Sequence, residues 1–272
     1  MSTLHINRDK TTITTYVAIC QTFLDGVVRL IEAQAAFGSV MHTLTTYRSQ
    51  KGKLKSDDEV LTEILAMFDN ISLEQFWSAQ YVNMISSLVY AASLFDTFLN
   101  ESTIFLFLLI PDAIGKTYQV PLRSLVDAQS TRGSILTEVA KQRAREISFK
   151  SFKDRLSFLR DTFGLPIALT GKTLQTLDHF TNLRNSAVHD QGFLALSLET
   201  SGCIKHGVRA SPKFPSNILP KDSDKAERTF RFIALTVADD IFKHILKAET
   251  GALPRHLGQF IEKMLASSPP EL

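Results

Sequence analysis

The chain has 272 residues, of which 44% are hydrophobic, so it is long and apolar enough for one large domain or two small ones with a sizeable core. The formal net charge of +2 excludes a protein that coats nucleic acid through its overall charge, and any RNA contact needs a local basic patch. The two cysteines, Cys20 and Cys203, lack the spacing of a metal site, and the N-terminus lacks the apolar segment of a signal peptide. We therefore expect a cytoplasmic protein with free thiols, no cofactor and no metal.

The N-terminal part of the chain shows helical spacing of apolar residues. This spacing predicts a first helix over residues 13–48, with a break at Gly38. Further along, Ser72 and Gln75 have the form of a capping box, and they predict the start of a long helix that Pro111 stops.

The segment from Ser56 to Gly115 contains nine acidic residues and no Lys or Arg, so it does not form an RNA-facing surface as a whole. Its fully apolar run, residues 104–110, is shorter than the roughly 20 residues of a membrane span, and we expect no membrane contact. Asp96 and Glu101 precede that run on an apolar helix, where a carboxylate is costly unless it finds a partner or reaches water.

The segment from Thr131 to Arg160 has the opposite charge, with eight basic residues against three acidic ones. It is either a solvated helix face or a surface that follows an RNA backbone through phosphate contacts. The RNA-binding candidates in it are Lys141, Arg143, Arg145, Lys150 and Lys153. Its aromatic residues are able to stack on bases, but their spacing favours core packing for Phe149, Phe152 and Phe158.

The strongest chemical signal is the run Leu183-Arg184-Asn185-Ser186-Ala187-Val188-His189-Asp190. It lies near the end of a predicted helix that Thr170 or Thr173 caps and that stops before Gly192. On a helix Arg184 and His189 point about 140° apart, whereas Asn185 and His189 are neighbours.

A cation and a titratable imidazole in one short run suit phosphoryl chemistry, with the imidazole moving a proton and the guanidinium neutralising phosphate charge. The plain alternative makes Arg184 a solvated surface residue and His189 a helix cap. The residue types alone leave both interpretations open.

The pattern Arg-Asn-x-x-x-His, preceded by Leu174, Leu177 and Phe180 at helical spacing, resembles the signature of the HEPN superfamily of helical nucleotide-binding and ribonuclease domains. The resemblance implies an all-α, HEPN-like helical bundle over residues 73–250. We expect an N-terminal helical extension over residues 1–72, and a short helix and tail over residues 251–272. The sequence after the motif is compatible with a short β-hairpin over residues 193–205. A further helix is predicted from Ser223 to Ala248, with Phe230, Ile233, Ala234 and Val237 on one apolar face.

The resemblance also implies a function, that of a metal-independent endoribonuclease acting as a toxin, an anti-phage effector or an RNA-processing factor. Arg184, His189 and Asn185 are then the catalytic residues, in a composite site at the interface of a homodimer. Asp96 or Glu101 is expected to pair with Arg184 or to orient His189. The implied partners are RNA, a second copy of the chain and an antitoxin or defence protein.

Three alternatives remain open. The chain is a non-catalytic RNA-binding or scaffold module of the same kind, a toxin paired with a nucleotidyltransferase antitoxin, or an unrelated helical protein with an accidental match. The second variant usually carries a Tyr three residues after the His, and Gly192 occupies that position here, which argues against it.

Overall fold

The computed structural model describes residues 10–49, 72–115, 118–119, 132–189 and 220–246. These residues form helices α1 (Lys10–Ser49), α2 (Leu73–Leu109), α3 (Arg132–Ser148), α4 (Phe152–Phe163), α5 (Gly171–His189) and α6 (Pro220–Asp240). A 3₁₀ turn, Pro111–Ile114, follows α2, and a π-helical turn, Ile241–Leu246, continues α6. No strand occurs in the described ranges, so the predicted all-α class is confirmed. The predicted hairpin (193–205) and C-terminal segment (251–272) lie outside them.

Two predictions about helix ends have different outcomes. The capping box is confirmed: the Ser72 hydroxyl accepts from the Gln75 amide at 3.0 Å, and the Ser72 amide donates to the Gln75 side chain at 2.7 Å. The predicted break at Gly38 is wrong, because α1 continues through it as one helix. A glycine costs a helix only about 1 kcal/mol, and Met41 and Leu44 are buried beyond it, so packing outweighs that cost.

Helix α2 is the centre of the bundle, since it packs against α1, α3, α4, α5 and α6. Its segment Ala79–Leu109 is long and apolar enough to cross a membrane by length and composition, and half of the window that passes this test is buried inside the bundle. The central position accounts for that apolar character, because a helix covered on several sides has little polar face.

Aromatic contacts fix the direction of α1 relative to α2. The Tyr16 ring lies 4.8 Å from the Phe105 ring, and the Phe23 ring lies 5.1 Å from the Phe98 ring. Residue numbers increase along α1 as they decrease along α2, so the two helices are antiparallel.

Helix α4 runs in the same direction as α2. The Phe152 ring lies 5.0 Å from the Phe95 ring, and the Phe163 ring lies 5.5 Å from the Phe107 ring. The beginning of α4 thus lies beside the middle of α2, and the end of α4 lies beside the end of α2.

Helix α6 also runs parallel to α2. The Phe230 ring lies 5.3 Å from the Phe95 ring, while the Phe242 ring, just after α6, lies 5.1 Å from the Tyr16 ring. Tyr16 also contacts Phe105 of α2. Residue numbers therefore increase in the same direction along α6 and α2.

Helix α5 reverses this direction. It follows α4 after the connection 164–170, and the Lys153 ammonium near the start of α4 lies 3.9 Å from the Asp178 carboxylate in the middle of α5. The two helices are antiparallel, so α5 is antiparallel to α2 and α6 as well.

Four of these helices meet in a phenylalanine layer, made of Phe95 (α2), Phe152 (α4), Phe180 (α5) and Phe230 (α6). Phe95 contacts Phe152 and Phe230, as described above. The Phe152–Phe230 and Phe180–Phe230 centroid distances are 6.0 Å and 6.5 Å. Aromatic rings at such separations attract each other beyond the effect of burial alone. The layer is the reference plane for the candidate site.

Candidate functional site

Arg184 lies on the inward face of α5. Thr173, Leu177 and Phe180 are buried at steps of four and three residues, and Arg184 continues this stripe four residues after Phe180. The Thr170 hydroxyl caps the helix by accepting from the Thr173 amide at 3.1 Å, as the sequence predicts. The periodicity of α5 therefore places a guanidinium on a face that otherwise serves the core.

The Arg184 side chain runs from the core face to the surface. It is half-buried, and its Nε atom is buried without a hydrogen-bond partner among the described residues. Its Nη1 atom donates to the Asn185 amide oxygen at 3.1 Å, and Asn185 is exposed. No ion pair of Arg184 occurs within the described ranges, so an amide rather than a carboxylate holds the head of the side chain there.

His189 is the last described residue of α5, and its backbone lies in the final turn of the helix, as predicted. Its side chain lies outside the described part of the structure. Because the helix is regular to this point, position 189 falls one turn beyond Asn185 on the same face. The hydrogen bond to Asn185 therefore brings the head of Arg184 towards the face that carries His189.

One of the two predicted supporting acids, Asp96, has a partner other than Arg184. Asp96 forms its ion pair with Arg155 of α4, whose side chain is only 3% exposed, and its carbonyl oxygen accepts from Arg155 Nη2 at 3.1 Å. Asp96 is thus the partner of a buried structural arginine instead of Arg184. Glu101 is exposed on α2, and its role beside the motif stays a prediction.

The spacing of residues along α4 indicates that Arg155 is buried. It lies three residues after Phe152 and four before Leu159, on the apolar stripe of α4, and its guanidinium carbon stands 5.6 Å from the Phe152 ring centroid. A cation at a core position needs a carboxylate from a neighbouring helix.

Sequence reasoning also missed a buried carboxylate on α6. Glu227 is 3% exposed and lies three residues before Phe230. Its Oε1 atom lies 3.2 Å from Arg231 Nη1 and has no hydrogen-bond partner among the described residues. Burial raises the pKa of Glu227, and the nearby Arg231 charge opposes that rise. Because α6 and α5 are antiparallel, Glu227 and Arg184 lie on the same side of the phenylalanine layer.

The predicted RNA-binding residues separate into two groups. Arg143 binds Glu146 at 2.8 Å and lies over the Tyr118 ring at 5.2 Å, so its head has partners within the subunit. The remaining four are exposed, namely Lys141, Arg145, Lys150 and Lys153.

The expectation that Phe149 packs in the core is wrong, whereas it is confirmed for Phe152 and Phe158. Phe149 is 81% exposed, while Phe152 and Phe158 make ring contacts within the bundle. Helix α3 ends at Ser148, so Phe149 stands on the turn before Ser151, the cap of α4, and the helical spacing no longer applies to it.

We define the basic corner as Arg145, Phe149, Lys150 and Lys153. It surrounds the start of α4, and the pair between Lys153 and Asp178 joins it to α5. Phe149 precedes Phe152 of the phenylalanine layer, and Arg184 follows Phe180 of the same layer. Because α4 and α5 are antiparallel, Phe149 and Arg184 lie on the same side of that layer. The basic corner and the motif therefore occupy the same end of the α4–α5 pair.

Comparisons with protein-family models, with curated proteins and with solved structures returned no match for this chain.

Proposed function

We propose that the chain is a metal-independent endoribonuclease of HEPN type, with Arg184, Asn185 and His189 as its catalytic residues. The single observation that carries the proposal is the placement of Arg184. Its guanidinium is anchored on the core face of α5, has no carboxylate partner among the described residues and reaches exposed Asn185. A guanidinium in that condition is preorganised for an anionic ligand, because no resident anion has to be displaced.

The electrostatic surroundings support an RNA substrate. The basic corner lies at the same end of the α4–α5 pair as the motif, and Arg145 and Lys150 in it are exposed. Lys and Arg contacts to phosphates supply most of the sequence-independent affinity for nucleic acid. A strand bound along this corner leads towards the end of α5.

The chemistry that fits these residues is an attack of the 2′-oxygen on the adjacent phosphorus. The new bond forms as the bond to the 5′-oxygen breaks, and the products are a 2′,3′-cyclic phosphate and a 5′-hydroxyl. A histidine removes the proton from the 2′-hydroxyl, a second acid protonates the leaving oxygen, and Arg184 neutralises the phosphoryl oxygens. A homodimer with two facing motifs supplies both imidazoles.

A second candidate is a non-catalytic RNA-binding or scaffold module. The observation that favours it is the partial burial of Arg184, which lies on the same face of α5 as the buried Leu177 and Phe180. In that case Arg184 is a packing residue whose guanidinium is held by the hydrogen bond to Asn185. RNA or a partner protein then binds without being cleaved.

An RNA cleavage assay in the presence of a chelator separates the two candidates. We expect the native chain to release fragments with cyclic phosphate ends, and we expect Arg184→Ala and His189→Ala to lose this activity. His179→Ala is the matched control, since His179 is an exposed histidine on the same helix. Cleavage that survives both motif substitutions would reject the nuclease.

The cellular role follows from the same activity. We propose that it is that of a toxin or an anti-phage effector in the cytoplasm, restrained by a partner protein. Growth arrest on expression, relieved by His189→Ala and not by His179→Ala, is the expected result.

A further inference from the structure

Phe149 is an aromatic side chain that the fold does not use. It is 81% exposed, on the turn where the Lys150 amide donates to the Ile147 carbonyl at 3.0 Å. Phe152 and Phe158, from the same stretch of sequence, pack against rings of α2. The exposure of Phe149 is therefore a property of its position on the turn.

Cations precede and follow this phenyl ring along the chain. Lys141 and Arg145, four residues apart, share one side of α3. Phe149 stands on the turn after that helix, and Lys150 and Lys153 follow it. All four side chains are exposed, and within the described ranges Lys153 alone of them has an ion pair, a loose one of 3.9 Å with Asp178. The ring is thus set in a patch of excess positive charge.

We propose that Phe149 is a stacking platform for one unpaired base of single-stranded RNA, with Arg145, Lys150 and Lys153 holding the flanking phosphates. A phenyl ring offers a flat face to any base, and neighbouring cations bind the backbone on either side of it. Bases in a duplex already stack on each other, so the platform selects unpaired strands. The inference takes the identity of the ligand, RNA, from the proposed function.

The charge pattern favours RNA over a lipid surface. A membrane-inserting helix presents a continuous apolar face over several turns. Here Lys141 and Arg145 share one side of α3, and Phe149 stands alone on the turn that follows the helix. One ring among cations is suited to a base and its phosphates.

The test uses the full chain with His189→Ala, so that bound RNA stays intact, and it measures fluorescence anisotropy of a labelled single-stranded RNA and of a duplex of the same sequence. We expect preference for the single strand, and a loss of roughly five- to hundredfold in its affinity with Phe149→Ala. Phe149→Trp retains the affinity. Lys150→Ala with Lys153→Ala lowers the slope of log affinity against log salt by about 0.7 for each phosphate that the variant no longer binds.

Tyr90→Ala is the matched control, because Tyr90 is another aromatic side chain exposed on the bundle, 43% accessible on α2. The inference is overturned if Phe149→Ala binds the single strand like the parent chain, if Tyr90→Ala weakens binding equally, or if duplex binds as tightly. It is also overturned if Phe149→Ala abolishes binding to anionic phospholipid vesicles and leaves RNA binding unchanged.

The outcome is separable from that of the proposed function. Phe149-dependent binding without any cleavage by the native chain rejects the nuclease and keeps the platform. Cleavage that needs His189, with RNA binding indifferent to Phe149, keeps the nuclease and rejects the platform.

Discussion

Arg155 on α4 and Arg184 on α5 follow the phenylalanine layer at almost equal distances, three residues after Phe152 and four after Phe180. Their surroundings differ. Arg155 is 3% exposed and paired with Asp96, whereas Arg184 is half-buried and bonded to the amide of Asn185. Because α4 and α5 are antiparallel, the two arginines also lie on opposite sides of the layer.

A carboxylate partner is what Arg155 has and Arg184 lacks among the described residues. A buried guanidinium is tolerated when a carboxylate neutralises it, and removing that partner leaves an uncompensated charge. Arg231 on α6, beside Glu227, belongs with Arg155 in this respect. Within the described ranges Arg184 lacks such an anion, and in the proposed function the phosphate of RNA supplies it.

The largest expected effect comes from removing the anion of the structural pair. Asp96→Ala should lower the free energy of unfolding by about 3 kcal/mol, because it leaves the buried Arg155 without its partner. This is the low end of the range for a buried pair, since the Asp96 carboxylate is half-exposed. Urea denaturation at neutral pH measures this. The control is Asp161→Ala, which breaks an ion pair whose two side chains are both exposed and should therefore change stability much less, because water and salt screen such a pair. Equal losses in the two variants would erase the distinction between the arginines.

The pH dependence of the free energy of unfolding tests whether Glu227, the partner of Arg231, is a buried carboxylate. Burial raises the pKa of Glu227 above its ordinary value of 4.5, so the native state holds this proton more tightly than the unfolded chain does. Its contribution to stability is therefore full below pH 4.5 and falls as the pH rises through the native pKa. Glu227→Gln should remove that part of the fall. Asp224→Asn on the same helix should only reduce it, because the Asp224 charge is a smaller cause of the raised pKa than burial is. An unchanged profile for Glu227→Gln would contradict the buried position of the carboxylate.

The smallest effect on stability is expected at Asn185. Its side chain is exposed, and its hydrogen bond to Arg184 is a surface contact, so Asn185→Ala should change the free energy of unfolding by less than about 0.5 kcal/mol. Cleavage should nevertheless slow, because the head of Arg184 loses the group that positions it. A large loss of stability would instead assign Arg184 and Asn185 to the fold.

Local signals in the sequence were enough for much of the fold. Ser72, Gln75 and Pro111 carry the chemistry of a helix start and a helix stop, and both ends of α2 follow from them. The stripe Phe230, Ile233, Ala234 and Val237 likewise predicts the buried face of α6, and all four are buried. Such features depend on residues within a few turns of each other.

Features that depend on neighbouring helices were not predictable in the same way. Asp96 stands out as a carboxylate on an apolar helix, but its partner depends on how α4 packs on α2, and spacing along one helix does not contain that information. Phe149 fits a helical period that the chain abandons one residue earlier, at Ser148. The motif on α5 was visible in the sequence, while the inward position of Arg184 needed the buried stripe of the folded helix.

The most direct test of the account is the single-turnover rate of RNA cleavage by Arg184→Gln, measured in chelator together with its free energy of unfolding. We expect a rate lower by roughly 10²- to 10³-fold, with the free energy of unfolding changed by less than about 1 kcal/mol. A rate within about threefold of the native chain, or a rate that falls only as far as the protein unfolds, would contradict the claim that Arg184 is kept for a phosphate.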